Sequence, residues 1–457
     1  MGDTQAMSVE DFNKRVFARI DEVCSWHKDF CKLEGTIFPG NVNFERYKDN
    51  PLPDDIYFNK AEFFGEAMFF WTTFGKDAHF DQAKFHKNAA FYGAKFGRYA
   101  RFVETKFDKE AWFDEATFGK DTGSEQAEPG GDANFNKATF GGEAKFNKVT
   151  FGGEAEFKEA KFGGKAVFEG TRFSGKAKFE GAKFDGEAGF KEAAFGQFAW
   201  FFRANFGRHA SFHQAKFDEV ASFDRAEFKG GGVFRNITAK KTMDFRECLS
   251  EEPMRFIDMD LYRCDFLRTD MTNIHFLESC WPLDEKSGRY RIAQEDEKGQ
   301  LEEVKNFYQA MKRKYKQEHN EAEVSKWHLA EKEVQLELMK NNRESWFLCI
   351  MLCLYRFSCR FGEDPLRAFW VLFLGLVLLF LCLGAVKLTQ TGIHPPVNWD
   401  AVGDVFQDWL RCLPFSKVPV GGEGVSVWKQ GFSWFMQALI SIQAALFAFA
   451  LRNKFRR

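Results

Sequence analysis

The sequence predicts a β-solenoid of short stacked strands, followed by α-helical segments that include two membrane-spanning helices. Phenylalanine recurs between Phe58 and Phe234 in steps that alternate, almost throughout, between five and six residues. Two later runs, Ala368 to Val386 and Phe432 to Leu451, contain no charged residue. The first pattern is typical of stacked coils, and the second is typical of helices that cross a bilayer.

The phenylalanine period is explained by a coil with flat faces. A period of five to six residues fits neither the period of about 3.6 of a helix nor the alternation of a strand. The residue two positions before each Phe is usually small, as with Ala177 and Ala182 in the unit from Gly175 to Asp185. One large and one small residue therefore point inward on each face, and glycine is frequent at the corners. An amphipathic helix is the alternative, but the positions that it would bury hold Lys, Glu and Asp.

Near the end of the array the period relaxes to five residues. The central residues there are Phe256, Leu261, Phe266, Met271 and Phe276, and the residues Asp260, Asp265 and Asp270 each precede one of them. Together with the eleven-residue unit, this pattern resembles the pentapeptide repeat family. The resemblance implies a right-handed, four-sided β-helix with about 20 to 22 residues per coil, and roughly ten coils in a rod of about 50 Å. A coil of about eleven residues is an alternative that the repeat leaves open.

The composition argues against an enzyme. The net charge of −2 gives no general attraction to nucleic acid, and the nine histidines are scattered. The sequence contains no Gly-rich phosphate loop and no nucleophile–base spacing, and its ten cysteines lack the spacing of metal sites or disulfides. We therefore expect no catalytic residue, no metal and no cofactor. The N-terminus also lacks the basic and apolar stretches of a cleavable export signal.

The N-terminal segment, residues 1–34, is predicted to cap the β-helix, which spans 35–282. Residues 8–30 carry apolar side chains at helical spacing, and Ser8 is a suitable N-cap. These apolar residues are Val9, Phe12, Val16, Ile20, Val23 and Trp26. An open coil edge invites pairing with another chain, so a covering helix is expected there. The alternative is that this helix binds a partner protein.

The interval from Phe118 to Phe135 interrupts the phenylalanine repeat. Phe135 follows Phe118 by 17 positions, which equals three steps of the repeat, and the sequence between them, GKDTGSEQAEPGGDAN, is rich in loop-forming residues. Either a half-coil has lost its rings or a loop is extruded. The composition favours an extruded loop.

A charged connector, residues 283–344, is predicted to follow the β-helix. Apolar residues recur there at helical spacing on both sides of a break near His319 and Asn320, which indicates two helices. Their apolar stripe is expected to pack on the solenoid or on a neighbouring subunit. Residues 345–357 are apolar but too short to span a bilayer, and they are predicted to lie at the membrane surface.

The membrane domain, residues 345–457, contains the two uncharged runs as predicted spans 368–386 and 432–451. Both are long enough to cross about 30 Å of hydrocarbon. Basic residues precede the first span and follow the second, including Arg367 and Arg452. By the positive-inside rule both termini and the β-helix are cytoplasmic, and residues 387–431 lie outside. We expect the bacterial inner membrane as the location.

The segment between the spans is predicted to contain a short helix, 399–413. The order of span, short helix, irregular segment and span resembles the two-transmembrane pore domain of potassium channels. The connector sequence FYQAMKRKYKQEHNEAEVSKWHLAEKE, the FGEDPLRA stretch before the first span and the ALRNKFRR stretch after the second are similar to bacterial proteins that join pentapeptide repeats to such a domain. The place of the potassium filter reads LPFSKV here, so potassium selectivity is not implied.

These features lead to two hypotheses for function. The first is an ion channel made of several copies, four by analogy, with a cytoplasmic β-helix as sensor or gating rod. Its pore-lining or subunit-contact residues would be Ser433, Gln437, Ser441, Ala445 and Ala448. Its outer mouth would be formed by Asp400, Asp404, Asp408, Phe415, Ser416 and Lys417. The second hypothesis is a membrane-anchored scaffold whose β-helix binds a cytoplasmic protein; in both, the partners are the lipid bilayer and further copies of the chain, with no nucleic acid.

Overall fold

The computed structural model describes residues 7–25, 30–285, 287–297, 299–342, 346–391, 399–414, 416 and 427–455. The chain forms two compact units. The first comprises Met1–Pro282 with Ile292–Gln294, and the second comprises Leu283–Arg291 with Glu295–Arg457.

The first unit is a parallel β-solenoid, which confirms the predicted fold class. Strands pair with the strand that lies one full coil later; Ala89 pairs with Ala111, and Ala111 pairs with Ala133. Each regular coil therefore contains 22 residues rather than eleven, and four strands contribute to it. The longest uninterrupted faces contain 12 and 11 strands, so the solenoid makes about 11 turns.

The strands of the four faces, which we number in chain order, are mostly two residues long. Face 1 contains Phe30–Lys32, Asp55–Tyr57, Asp77–His79, Tyr99–Arg101, Thr122–Gly123, Ala144–Lys145, Ala166–Val167, Ala188–Gly189, Ala210–Ser211, Gly232–Arg235, Met254–Ile257 and Ile274–Leu277. Face 2 contains Ile37–Phe38, Glu62–Phe63, Lys84–Phe85, Lys106–Phe107, Glu128–Pro129, Thr150–Phe151, Arg172–Phe173, Ala194–Phe195, Lys216–Phe217 and Thr238–Ala239. Face 3 contains Val42–Asn43, Ala67–Met68, Ala89–Ala90, Ala111–Trp112, Ala133–Asn134, Ala155–Glu156, Ala177–Lys178, Ala199–Trp200, Ala221–Ser222, Met243–Asp244 and Cys264–Asp265. Face 4 contains Thr73–Phe74, Lys95–Phe96, Thr117–Phe118, Thr139–Phe140, Lys161–Phe162, Lys183–Phe184, Asn205–Phe206, Glu227–Phe228 and Leu249–Ser250.

Two kinds of corner explain the alternation between five and six residues. After faces 1 and 3 the chain makes a tight turn, in which Ala61 N–H donates to Phe58 O at 3.0 Å and Lys60 has φ of 56°. After face 4 glycines of successive coils lie against each other: a Cβ on Gly97 would lie 1.9 Å from Gly75 O. The first corner tolerates a left-handed non-glycine residue at some cost, and the second is usually glycine, with Asp185 and Lys229 at the same position in two coils.

The core consists of columns of stacked Phe rings. Phe157 and Phe179 are parallel with centroids 4.9 Å apart, and Phe157 meets Phe168 edge to face at 5.6 Å. The small inward residues that alternate with the rings are Ala or, at some positions, Thr. Thr171 is fully buried, and its Oγ1 donates to Phe146 O at 2.6 Å, so this hydroxyl stays hydrogen-bonded inside the core.

The prediction of an extruded loop between Phe118 and Phe135 is wrong. Thr122 pairs with both Ala100 and Ala144, so the coil continues without interruption on face 1. On face 2, Gly152 N–H donates to Pro129 O at 2.7 Å, but Pro129 has no N–H to donate to the next coil. This face is therefore divided into two sheets of five strands. Backbone hydrogen bonds keep the register here even though the rings are absent.

Each end of the solenoid is covered by further aromatic residues. Helix α1, Val9–Ser25, begins after Ser8, whose Oγ accepts from Asp11 N–H at 3.1 Å. Its Phe12 meets Phe38 edge to face at 5.8 Å. At the other end, Trp281 packs on Phe276 with centroids 5.0 Å apart. The first and last rings are therefore covered by residues of the same chain.

The second unit is α-helical apart from a short antiparallel hairpin of Leu283–Asp284 and Arg289–Tyr290. Its helices are α2 (Leu301–Gln317), α3 (Glu321–Asn341), α4 (Trp346–Cys359), α5 (Pro365–Thr391), α6 (Trp399–Arg411) and α7 (Val427–Phe455). Helices α2 and α3 pack as a hairpin around the buried Trp327, and Asn320 caps α3 by accepting from Glu323 N–H at 3.3 Å. Helices α5 and α7 are each long and apolar enough to cross a membrane.

Candidate functional site: the two apolar helices and the helix between them

Helices α5 and α7 form an antiparallel pair. Gln443 Nε2 of α7 donates to Ala368 O at 3.1 Å, and further along α7 Asn453 Nδ2 donates to Gly362 O at 3.1 Å. Most of their surface is uncovered, since only 11% of the most apolar stretch of α5 and 6% of that of α7 are buried. Their large exposed side chains, such as Trp370 and Trp434, are aromatic or aliphatic. Such a surface requires lipid or further protein to cover it.

The short helix α6 packs against both helices of this pair, near Leu376 of α5 and Gln437 of α7. Trp409 Nε1 donates to Leu376 O at 3.0 Å, and Leu376 lies near the middle of the apolar stretch Pro365–Ala385. Gln437 Nε2 donates to Arg411 O at 2.6 Å, which satisfies a carbonyl at the C-terminal end of α6. Cys412, in the turn after the helix, lies with its Sγ 3.9 Å from Ser433 Oγ. The C-terminal end of α6 is therefore fixed at about half the length of α5.

An ion pair lies at that end of α6. Arg411 Nη1 is 2.8 Å from Asp408 Oδ1, and the two side chains are 22% and 20% exposed. Arg411 Nε is buried and has no hydrogen-bond partner among the residues that the structure describes. Charged side chains at this depth of an apolar helix pair are costly to bury, and in membrane proteins they commonly mark functional sites.

The residues predicted to line a pore do not share one environment. Ser433 and Gln437 face α6 of the same chain, whereas Ser441, Ala445 and Ala448 are exposed. At the predicted outer mouth, Asp404 is exposed, Asp408 is paired as above and Ser416 is half-buried. Asp400 belongs to α6, but its side chain, like all of Phe415 and Lys417, is outside the described residues. The role of each stays a prediction.

The α2–α3 hairpin is joined to these helices by polar contacts. Ser325 Oγ donates to Glu363 Oε2 at 2.5 Å, and Arg356 Nε lies 2.9 Å from Glu333 Oε1. A cavity of about 240 Å³ lies beside these contacts, and Lys316, His328 and Asn453 are among the residues that line it. Burial and the nearby Lys312 charge lower the pKa of His328, so its imidazole is neutral near pH 7. The hairpin and the C-terminal part of α7 therefore line the same cavity.

Comparison with known proteins identifies the repeats of the first unit. A family model for pentapeptide repeats, in nine copies, matches residues 80–123, 130–170 and 168–213. The solenoid is a pentapeptide-repeat β-helix. The first two matched stretches are separated by the residues that include Ser124 and Pro129. No curated protein and no solved structure matches the chain significantly.

The matched residues of the pentapeptide-repeat β-helix end well before the second unit. The resemblance of the C-terminal part to potassium-channel pore domains therefore stays a prediction. Sequence reasoning also missed three residues that the structure brings to the end of α6, namely Trp409, Arg411 and Cys412. A tryptophan and an arginine two positions apart, next to an aspartate on the same short helix, were the available signal.

Proposed function

We propose that the protein is an oligomeric, channel-like membrane protein of the bacterial inner membrane. In this proposal α5 and α7 span the bilayer, α6 enters it from the outer side, and the pentapeptide-repeat β-helix acts in the cytoplasm as a sensor or gating element. The single observation that supports it best is the depth of the C-terminal end of α6, which Trp409 and Gln437 hold at mid-helix.

The physics of such a helix favours ion passage near its end. The C-terminus of a helix carries a partial negative charge, and that charge acts strongly where little water is present. Backbone that leaves the helix at membrane depth, as at Cys412 and Leu413, is tolerated only where protein or a water-filled cavity surrounds it. Two spans per chain cannot enclose such a cavity, so several copies are required. Four copies is the number by analogy.

The exposed stripe of α7 is suited to contact between copies. Ser441, Ala445 and Ala448 are small and exposed at helical spacing, which allows helices to approach closely. The Asp408–Arg411 pair would then lie near the axis of the assembly. Asp404, which is exposed, would raise the local concentration of cations at the outer entrance.

Conductance measurements on the purified full chain in planar bilayers test this proposal. We expect discrete current steps that are absent from protein-free bilayers, and a change in reversal potential for Arg411→Gln, which leaves Asp408 uncompensated. Failure to observe current above background across voltage and pH would overturn the channel proposal.

A matched pair of glutamines in α7 sharpens the test. Gln437 holds α6, and Gln443 holds α5 by a similar bond to a backbone carbonyl. We expect Gln437→Leu to change conductance or selectivity, because the end of α6 is released. Gln443→Leu removes the same chemical group and should leave selectivity unchanged. Equal effects of the two variants would contradict a special role for α6.

The alternative is a membrane-anchored scaffold without conduction. One observation favours it: the partly exposed rings of Phe198 and Trp200 lie 6.0 Å apart at face 3 of the β-helix, where Lys178 Nζ lies 5.9 Å from the Trp200 ring. Such a patch is typical of protein-binding surfaces. A scaffold should keep its function in the Gln437→Leu and Ser441→Leu variants, and a channel should not.

A further inference from the structure

The ring columns of the β-helix are interrupted in one coil. On face 1 the rings of Phe80 and Phe102 stack at 5.0 Å, and those of Phe146 and Phe168 at 4.9 Å. The coil between them carries Ser124 at the ring position. On face 2, Phe85 stacks on Phe107 at 4.8 Å, and the next coil carries Pro129 in place of a ring. Two rings are thus absent from adjacent faces of the same coil.

The other two faces keep their rings through this coil. Phe113 stacks on Phe135 at 4.8 Å on face 3, and Phe118 stacks on Phe140 at 4.7 Å on face 4. Because these columns and the backbone register hold the coil at its normal spacing, the neighbouring coils do not close the gap. The two absent rings therefore leave a cavity rather than a shorter solenoid.

This cavity has an almost wholly apolar wall. The space open to the centre of a water molecule is about 20 Å³. Its wall is formed by Phe102, Phe107, Ala111, Phe113, Phe118, Thr122, Ser124, Ala127, Pro129, Ala133, Phe135, Phe146, Val149 and Phe151. A cavity of this size accommodates one or two heavy atoms.

One wall residue has an unused polar group. Thr122 is 3% exposed, and its Oγ1 has no hydrogen-bond partner among the described residues. Thr105, in the same solenoid, instead donates from Oγ1 to Phe80 O at 2.7 Å. A buried hydroxyl without a partner is uncommon in folded proteins and indicates a missing contact. The polar side chains of this wall are those of Thr122 and Ser124, which is the smallest number of partners that a buried water requires.

We propose that this coil is a binding site for a small, mostly apolar guest of one or two heavy atoms, in the class of dissolved gases. The guest would lie between the rings of Phe102 and Phe146, with the Thr122 hydroxyl as its polar contact. By bridging the interrupted columns, an occupant would stabilise the middle of the β-helix. This site is independent of the membrane function proposed above.

Xenon is the probe for this site. Crystals of the full chain, pressurised with xenon, should show one anomalous scattering peak inside the cavity. Ser124→Phe should remove that peak, because it restores the missing ring of face 1. Ser222→Phe adds the same ring to an outward-facing position of face 3 and should leave the peak in place. An ordered water bound to Thr122, or no peak in the wild type, would overturn the proposal.

Thermal unfolding provides a second readout that does not depend on crystals. Ser124→Phe occupies the space that the guest would take, so xenon should give no increase in the Tm of this variant. In the wild type, xenon should raise Tm, and Thr122→Val should keep that increase because the wall stays apolar. If Ser124→Phe does not fold, as judged by circular dichroism, Pro129→Phe is the equivalent variant. An equal response of the wild type and a folded filled variant to xenon would contradict the site.

Discussion

The pentapeptide-repeat β-helix and the α5–α7 pair are both rich in aromatic residues, yet they place them in opposite environments. Phe157, Phe168 and Phe179 in the β-helix are completely buried. Trp370 and Trp434 in the helix pair are 54% and 63% exposed. The β-helix excludes water from its rings by stacking coils, whereas the helix pair requires another apolar phase around it. The direction in which aromatic side chains point therefore distinguishes a part that folds in water from a part suited to a bilayer.

Truncating a ring of the ladder should have the largest effect. Phe168→Ala should lower the free energy of unfolding by about 3–5 kcal/mol, because a buried ring is lost and a cavity is left. Phe198→Ala is the control, since Phe198 is 37% exposed; its loss should stay below about 1 kcal/mol. Urea unfolding of the full chain, followed by circular dichroism, measures both. Comparable losses would show that the stacked columns do not provide the stability of the β-helix.

The second-largest difference between the two regions should come from arginine substitutions at exposed apolar positions. Leu374 in α5 and Leu249 in the β-helix are 54% and 58% exposed. Leu374→Arg should reduce membrane insertion, since an arginine at the centre of a span costs about 2.5–3.5 kcal/mol. Leu249→Arg should be tolerated because it remains in water. Membrane fractionation after expression measures the effect, and normal insertion of Leu374→Arg would argue against a bilayer around α5.

Acid should weaken the β-helix through a cluster at face 3. Hydrogen bonds from Lys176 and Lys178 lower the pKa of Glu154 from 4.5 to about 2. A carboxyl whose pKa is lower in the folded state stabilises the protein above its unfolded pKa, and this contribution is lost as the pH falls from about 4.5 towards 2. Between these values Tm should fall more steeply for the wild type than for Glu154→Gln. Glu187→Gln, at a carboxylate that is 59% exposed, serves as the control and should keep the wild-type slope.

The smallest effect should come from two buried threonines. Thr171→Val removes the bond from Oγ1 to Phe146 O and should cost about 0.5–1.5 kcal/mol. Thr122→Val removes a hydroxyl that has no partner among the described residues, so it should be neutral or stabilising. Urea unfolding compares the two variants, which have the same change in side-chain shape. A larger loss for Thr122→Val would mean that this hydroxyl is bonded in solution.

Much of the β-helix could be predicted because the spacing of residues within each repeat indicates the local path of the backbone. The five- and six-residue steps correspond to the two kinds of corner, one with a left-handed residue such as Lys60 and one with glycine against glycine, as at Gly97. The prediction of an extruded loop was wrong because it was based on the composition of one coil alone. Backbone bonds from the neighbouring coils hold that coil in register whatever its side chains are.

The candidate site was less accessible to sequence reasoning. Its helices could be located from uncharged runs and helical spacing, because those are local properties. The contact of Trp409 with Leu376, and of Gln437 with Arg411, joins residues that are far apart in the chain. The sequence of α6 does not indicate which residue of α5 its C-terminal end lies beside.

The sequence alone determined that this protein is a stack of coils with rings inside, followed by helices with two spans of apolar surface. The first follows from the period of the phenylalanines, which places one large and one small residue inward on each face, and the second follows from the two long runs without a charged residue. Only the tertiary structure decided that a coil has 22 residues, that the coil around Ser124 is complete but hollow, and that α6 ends beside the middle of α5. These features depend on contacts between distant segments, whose geometry is fixed only when the chain packs together.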